Sequence, residues 1–166
     1  MSITPLNQLL HLLADGEFHS GTELGICLGI SRTAIWKQLC KLDKLGLKLH
    51  RVRGKGYRLS GGLDLLGVTA IRQQLSIAVD SHLKALQVII STNSTNQQLQ
   101  QQMQQYSVHG RAVMAELQTA GRGRRGRSWQ APFGKSISLS LGWSFAGGVA
   151  ELEGLSLTVG LAVITA

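Results

Sequence analysis

The stretch Gly121-Arg122-Gly123-Arg124-Arg125-Gly126-Arg127-Ser128-Trp129 sets four arginines and three glycines into nine residues closed by a tryptophan. Glycine lets a backbone turn tightly and bring its N–H groups close to an anion, while guanidinium groups supply forked, permanently charged donors. By composition alone such a run also describes a solvated or nucleic-acid-binding loop. Its flanks decide between these readings. Arg111–Leu117 upstream reads as a strand, and Ser136–Trp143 downstream alternates with period two. The basic run therefore joins two strands of a folded domain.

On the N-terminal side of these strands, Ser60-Gly61-Gly62 marks a linker, Val68–Leu75 reads as a helix and Gln87–Ile90 as a strand. Asn93-Ser94-Thr95-Asn96 then forms a strand-to-helix corner in which Ser94 or Thr95 can cap the helix that follows. The glutamine-rich run Gln97–Gln105 is the exposed face of that helix, with Leu99 and Met103, four apart, expected to point inward.

The first sixty residues follow a different logic. Leu6, Leu9, Leu10 and Leu13 make one apolar helical stripe that stops near Gly16. Ser20-Gly21-Thr22-Glu23 is a capping box opening a short second helix, Gly29 supplies a turn, and Ser31 caps a third helix with Ile35, Leu39 and Leu42 on its buried side. Lys37, Lys41 and Lys44 fall on roughly the opposite face. A lysine stripe alone is a solvated face, yet helix, glycine turn and basic helix in this order make a helix-turn-helix. Leu47–Val52 and Tyr57–Leu59 then alternate as strands around Arg53-Gly54-Lys55-Gly56, a basic hairpin placed where a wing would lie. Its charges, Arg51, Arg53, Lys55 and Arg58, are expected to reach phosphate or the minor groove. Charge agrees, since residues 1–63 carry nine Lys/Arg against four Asp/Glu and the other 103 carry eight against five. The smaller part is the more basic per residue, as a polyanionic partner requires.

Two separate segments resemble one family, the bifunctional biotin protein ligases and biotin operon repressors. Gln118–Trp129 followed by Pro132-Phe133-Gly134 is similar to the family's ligand loop, and Leu6–Leu59 is similar to its winged helix, above all at Phe18-His19-Ser20-Gly21, Leu28–Arg32 and Gly54-Lys55-Gly56-Tyr57. The fold class implied is α+β: a winged helix-turn-helix in 1–60, a linker in 61–67, and in 68–166 the first part of a mixed α/β biotin/lipoate ligase-like catalytic domain. The resemblance further implies that Ser94, Thr95, Gln118, Gly121 and Arg122 bind biotin, that Arg124 and Arg127 steady the phosphate of biotinyl-AMP, and that Trp129 lines the pocket. Short hydroxyls suit a fused urea, which offers a carbonyl acceptor and two N–H donors. Asn93 replaces an acid often found at its place and is left out of the site. Ser31, Arg32, Lys37, Lys41, Arg53 and Lys55 are the expected DNA contacts. Trp36 departs from the pattern, standing where a small polar residue able to bond a base edge is expected.

The implied substrates are biotin and ATP with Mg2+. The implied partners are a biotin carboxyl-carrier protein, the operator DNA of biotin biosynthesis genes and, in the full-length ligand-bound state, a second copy. The family's essential lysine lies on a strand beyond Ala166, so no catalytic residue is assigned within this chain, which is expected to be a fragment. An interrupted sheet is expected to expose apolar faces. Two rivals share the same residues: a winged-helix transcription factor that senses a small anionic ligand without ligase activity, and an RNA-binding module using the arginine-glycine loop. Cys27 and Cys40 have neither metal nor redox spacing and are expected to be reduced and mostly buried. The histidines show no ligand spacing, so no metal site is expected. No window has the length to span a bilayer, and a cytoplasmic protein without a membrane partner is expected.

Overall fold

The computed structural model describes residues 4–123, 127–129, 131–148 and 152–165. Its first part is three helices and a hairpin: α1 (Pro5–Leu13), α2 (Gly21–Leu28), α3 (Arg32–Lys44), β1 (Leu49–Val52) and β2 (Gly56–Leu59). Each helix starts on a side-chain cap. Thr4, Ser20 and Ser31 accept from the backbone N–H three residues on, and at Ser20 the reciprocal bond from its own N–H to Glu23 completes the capping box. Gly29 ends α2 at φ +62°, a left-handed conformation that costs glycine little. Leu9, Leu10, Leu13, Leu24, Ile35, Leu39, Leu42 and Leu59 interlock as one buried cluster.

The wing is tied to the helical part through β2, close to its turn. β1 and β2 pair antiparallel, and Tyr57 exchanges both backbone hydrogen bonds with His19, each 2.9 Å. A Cβ on Gly56 would stand 2.1 Å from the His19 carbonyl oxygen, so only glycine allows this approach. The His19 ring closes the same junction, with Nε2 2.8 Å from Asp15 Oδ2 and Nδ1 3.2 Å from Glu23 Oε1. Partial burial alone would lower the His19 pKa, but the two carboxylates outweigh it and hold the pKa above the ordinary 6.5.

The second part contains α4 (Val68–Gln74), α5 (Ile77–His82), β3 (Ala85–Thr92), α6 (Thr95–Met103), β4 (Arg111–Gln118), β5 (Gly121–Arg122), β6 (Ser128–Trp129), β7 (Ser138–Gly142) and α7 (Leu155–Thr165). β3 and β4 are parallel with α6 as their crossover, and β7 adds antiparallel to β4, giving the order β3-β4-β7. Leu99 of α6 packs with Val108 and Val113 on one face. The expectation for Met103 fails: it is 62% exposed, because α6 ends at that residue and the chain turns away. Across the sheet, Leu86, Met114 and Leu141 border an apolar groove of about 520 Å³, and the apolar side chains of α7 lie exposed. The last helix is described from Leu155 to Thr165. Cys27 is exposed and Cys40 partly so, which corrects the expectation of buried thiols: Cys27 sits on the outer face of the short α2, whose buried residue is Leu24.

The two parts meet in one hydrophobic cluster. Phe133, 5% exposed, belongs to the core of leucines from α1, α2 and α3, with Leu63, Leu65, Ile90 and Leu117 packed against it. Beside this seam the buried Glu116 carboxylate accepts a 2.5 Å hydrogen bond from the Leu66 N–H, and its backbone carbonyl accepts one from Gly134. Burial pushes the Glu116 pKa above its ordinary value, opposed by the Leu66 bond and assisted by the charge of Asp64.

Two consequences can be measured. Phe133→Ala is expected to lower unfolding stability by about 3 kcal/mol in urea titration, and the loss should include the helical core of the first part. The folded state binds the His19 proton more tightly than the unfolded chain, so the stability it contributes is complete below pH 6.5 and lost as pH rises through the raised folded value. His19→Gln should remove that part of the pH dependence, read from urea midpoints across the same range.

Candidate functional site

The parallel register of β3 and β4 places Thr92 opposite Gln118 at the carboxyl ends of both strands, the edge where open α/β sheets bind ligands. Beyond the ladder the corner is drawn tighter. Thr119 N–H donates to the Thr92 carbonyl and Ala120 N–H to the Asn93 carbonyl, each at 2.9 Å, and Thr119 Oγ1 donates to Asn93 Oδ1 at 3.0 Å. Asn93 thus holds the corner, in keeping with its omission from the site.

Ser94 caps α6 through a long bond from Gln97 N–H, and Thr95 opens the helix with its side chain buried. The Gln118 side-chain oxygen accepts from Thr95 N–H at 2.8 Å and from Thr95 Oγ1 at 3.2 Å, and Thr95 Oγ1 lies 2.8 Å from Ser140 Oγ. With Oε1 doubly occupied, the Gln118 amide nitrogen is the group left to donate to a ligand. A cavity of about 760 Å³ opens over this cluster, and Ser94, Thr95, Gln118, Arg122 and Trp129 are among its lining residues.

Arg122, Gly123 and Trp129 form the far wall. β5 and β6 pair antiparallel, Gly121 with Trp129 and Arg122 with Ser128, and Gly123 N–H donates to the Arg127 carbonyl at 2.7 Å. Gly121 is buried where a Cβ would lie 3.1 Å from the Trp129 carbonyl oxygen, so a larger residue would crowd the hairpin partner, and 3.5 Å from Gln118 Nε2, in ordinary contact. Arg122 and Arg127 are exposed, and Trp129, although part of the lining, is 62% exposed. Arg124, expected at the phosphate, lies outside the described residues, as does Arg125.

Ser138 and Ser140 also line the cavity, and neither was among the expected site residues. The signal was present in Ser136–Trp143: strict alternation puts the serines on one face of β7 and Leu139 and Leu141 on the other. Among the described residues no group of three or more His, Cys, Asp or Glu could hold a metal ion.

A second candidate surface lies on the first part. Ser31 is occupied as the α3 cap, accepting from Ala34 N–H at 3.2 Å, while Arg32, Lys37 and Lys41 are exposed on α3 and Arg53 and Lys55 at the wing tip. The wing charges do not all point outward. The Arg51 guanidinium donates to Asp43 and stands over the Trp36 ring, and Arg58 stacks on Phe18 at 4.7 Å. Arg51 is thus engaged by an aromatic and an acidic group and Arg58 by an aromatic ring, whereas the tip cations are not. Arg53 and Lys55 have no acidic partner among the described residues.

Residues 5–58 match a helix-turn-helix domain model, and residues 88–166 match the biotin/lipoate A/B protein ligase family. The bifunctional ligase/repressor BirA of Salmonella typhimurium is 44% identical over 92% of this chain and 46% of its own length, and that of Escherichia coli is 45% identical over 93% and 46%. A biotin–[acetyl-CoA-carboxylase] ligase of Mycobacterium tuberculosis is 39% identical over 57% of this chain and 36% of its own length. The chain thus spans about half the length of the curated ligase/repressors it matches. With both domains in the same order, the chain resembles the N-terminal portion of these ligase/repressors.

Proposed function

We propose that this chain is part of a biotin protein ligase that also represses transcription: residues 1–60 bind operator DNA, 61–67 join the domains, and 68–166 begin the ligase domain. The observation that carries the ligase half is the convergence of Ser94, Thr95 and Gln118 at one sheet edge, under a glycine-arginine hairpin. Polar groups held by one another before the ligand arrives need no reorganisation to bind a ureido ring. Here Thr95 fixes the Gln118 amide so that its N–H faces the ureido carbonyl. Ser94 and the backbone at Gly121 and Arg122 complete the cradle, and Trp129 covers it.

In the reaction assigned to the whole protein, a biotin carboxylate oxygen attacks the α-phosphorus of ATP. The bond between the α- and β-phosphates breaks and pyrophosphate leaves. A lysine amine of a carboxyl-carrier protein then attacks the acyl carbon of biotinyl-AMP, forming an amide, losing a proton and expelling AMP. Crowded negative charge develops in both steps, and fixed guanidinium groups at Arg124 and Arg127 lower its cost and retain the adenylate. Mg2+ would come with the triphosphate, whose charge it would help to neutralise. The basic face of α3 and the wing tip would meet a two-fold operator when biotinyl-AMP favours a dimer of the full-length protein. No described helix is long and apolar enough to cross a membrane, and the reading places the protein in the cytoplasm.

Gln118→Ala is expected to weaken biotin binding about tenfold or more by removing the pre-set donor and stranding Thr95, as checked by calorimetric titration of biotin. An unchanged affinity would count against the pocket. Arg124→Gly in the full-length ligase should leave biotin affinity nearly intact and raise the rate at which biotinyl-AMP escapes, measured as free adenylate over time. Biotin-dependent exchange of pyrophosphate into ATP by that protein separates a ligase from a ligand-sensing transcription factor without ligase activity.

A further inference from the structure

On α3, residues four and seven apart share a face, so Arg32, Trp36 and Asp43 lie along one stripe beside the buried row of Ile35, Leu39 and Leu42. Trp36 is 46% exposed there. The wing does meet it. The Arg51 guanidinium carbon stands 5.0 Å from the Trp36 ring centroid, and Arg51 Nη2 donates to Asp43 Oδ2. A single β1 side chain therefore grips α3 at two points about two turns apart. Arg32, Trp36, Arg51, Arg53 and Tyr57 line a groove of about 420 Å³ between helix and wing.

We propose that Trp36, Asp43 and Arg51 form a brace that locks the wing against α3 and presents the Trp36 indole as a reader of thymine in the DNA major groove. The inference rests on the DNA-binding reading of residues 5–58 and deepens it. Arg51 spends its face on the indole and its fork on a carboxylate, so it acts as a positioning residue and contributes little charge to phosphate. Arg53 and Lys55 keep that task. The indole offers one N–H donor and a broad apolar surface, and the major groove presents one apolar group on any base edge, the thymine methyl. Trp36 thus replaces the base-bonding polar side chain expected at its position with apolar readout. The brace limits how far the ring can turn away, because Arg51 covers it from a second element.

The test selects duplexes from a random-sequence DNA pool with the full-length protein that contains this chain, supplied with biotin and ATP, then measures binding of the selected duplex at several salt concentrations. Trp36→Ala is expected to lose a thymine preference at one or more positions, while Trp36→Phe retains it. Arg51→Ala and Asp43→Asn should each weaken binding about tenfold with no change in the slope of log K against log salt, whereas Arg53→Ala should reduce that slope by about 0.9, one phosphate contact. A slope reduced by about 0.9 in Arg51→Ala would mean that Arg51 holds phosphate and would overturn the brace. An unaltered thymine preference in Trp36→Ala would overturn the reading role. If the unaltered chain selects no sequence, the DNA-binding reading and the reading role fail together. The brace is then judged by a thermal double-mutant cycle of Asp43→Asn with Arg51→Ala, where coupling supports it and additivity overturns it.

Discussion

The parallel register of β3 against β4 is the constraint on which the rest of the second part depends. It brings Thr92 beside Gln118, so the residues after each strand, Ser94 and Thr95 on one side and Ala120 and Arg122 on the other, face one cavity. A shift of one residue would turn Gln118 to the opposite face and remove the oxygen that receives both Thr95 hydrogen bonds. The same strand carries Glu116 and Leu117 to the seam with the helical core, and the chain beyond the hairpin returns Phe133 into that core. One strand therefore fixes the pocket and the junction of the two parts together.

Local signals were the most legible. The Ser20 capping box, the Gly29 turn, the Ser31 cap and the leucine stripe of α1 all depend on interactions within a few residues, and each stands as its spacing predicts. The wing and the Ser94–Thr95 corner were equally readable, because glycine turns and strand alternation mark them. What escaped was set by distant or very short pairings. The β5–β6 ladder spans two residues per strand, too few for any periodicity, inside a run dominated by arginine and glycine. The burial of Phe133 among leucines from the first helices depends on chain more than a hundred residues away. The Ser138–Ser140 face of the pocket was written in the alternation, but alternation alone does not say which face meets a ligand.

The cations of the wing are not equivalent. The wing is basic, yet Arg51 and Arg58 are engaged by Asp43, Trp36 and Phe18, leaving the tip residues for a polyanion. A count of cations in sequence therefore overstates the charge that a wing offers to phosphate, since a guanidinium stacked on an aromatic ring and paired with a carboxylate is already committed.

The central claim is that a ureido ligand binds where Thr95 and Gln118 are joined. Nuclear magnetic resonance of the isotope-labelled protein, with biotin added stepwise, tests it most directly. The account predicts saturable shifts of the Gln118 side-chain amide and of the Thr95 and Gly121 backbone amides, with the wing-tip signals of Arg53 and Lys55 unmoved. Saturable shifts confined to other residues, or none at millimolar biotin, would contradict it.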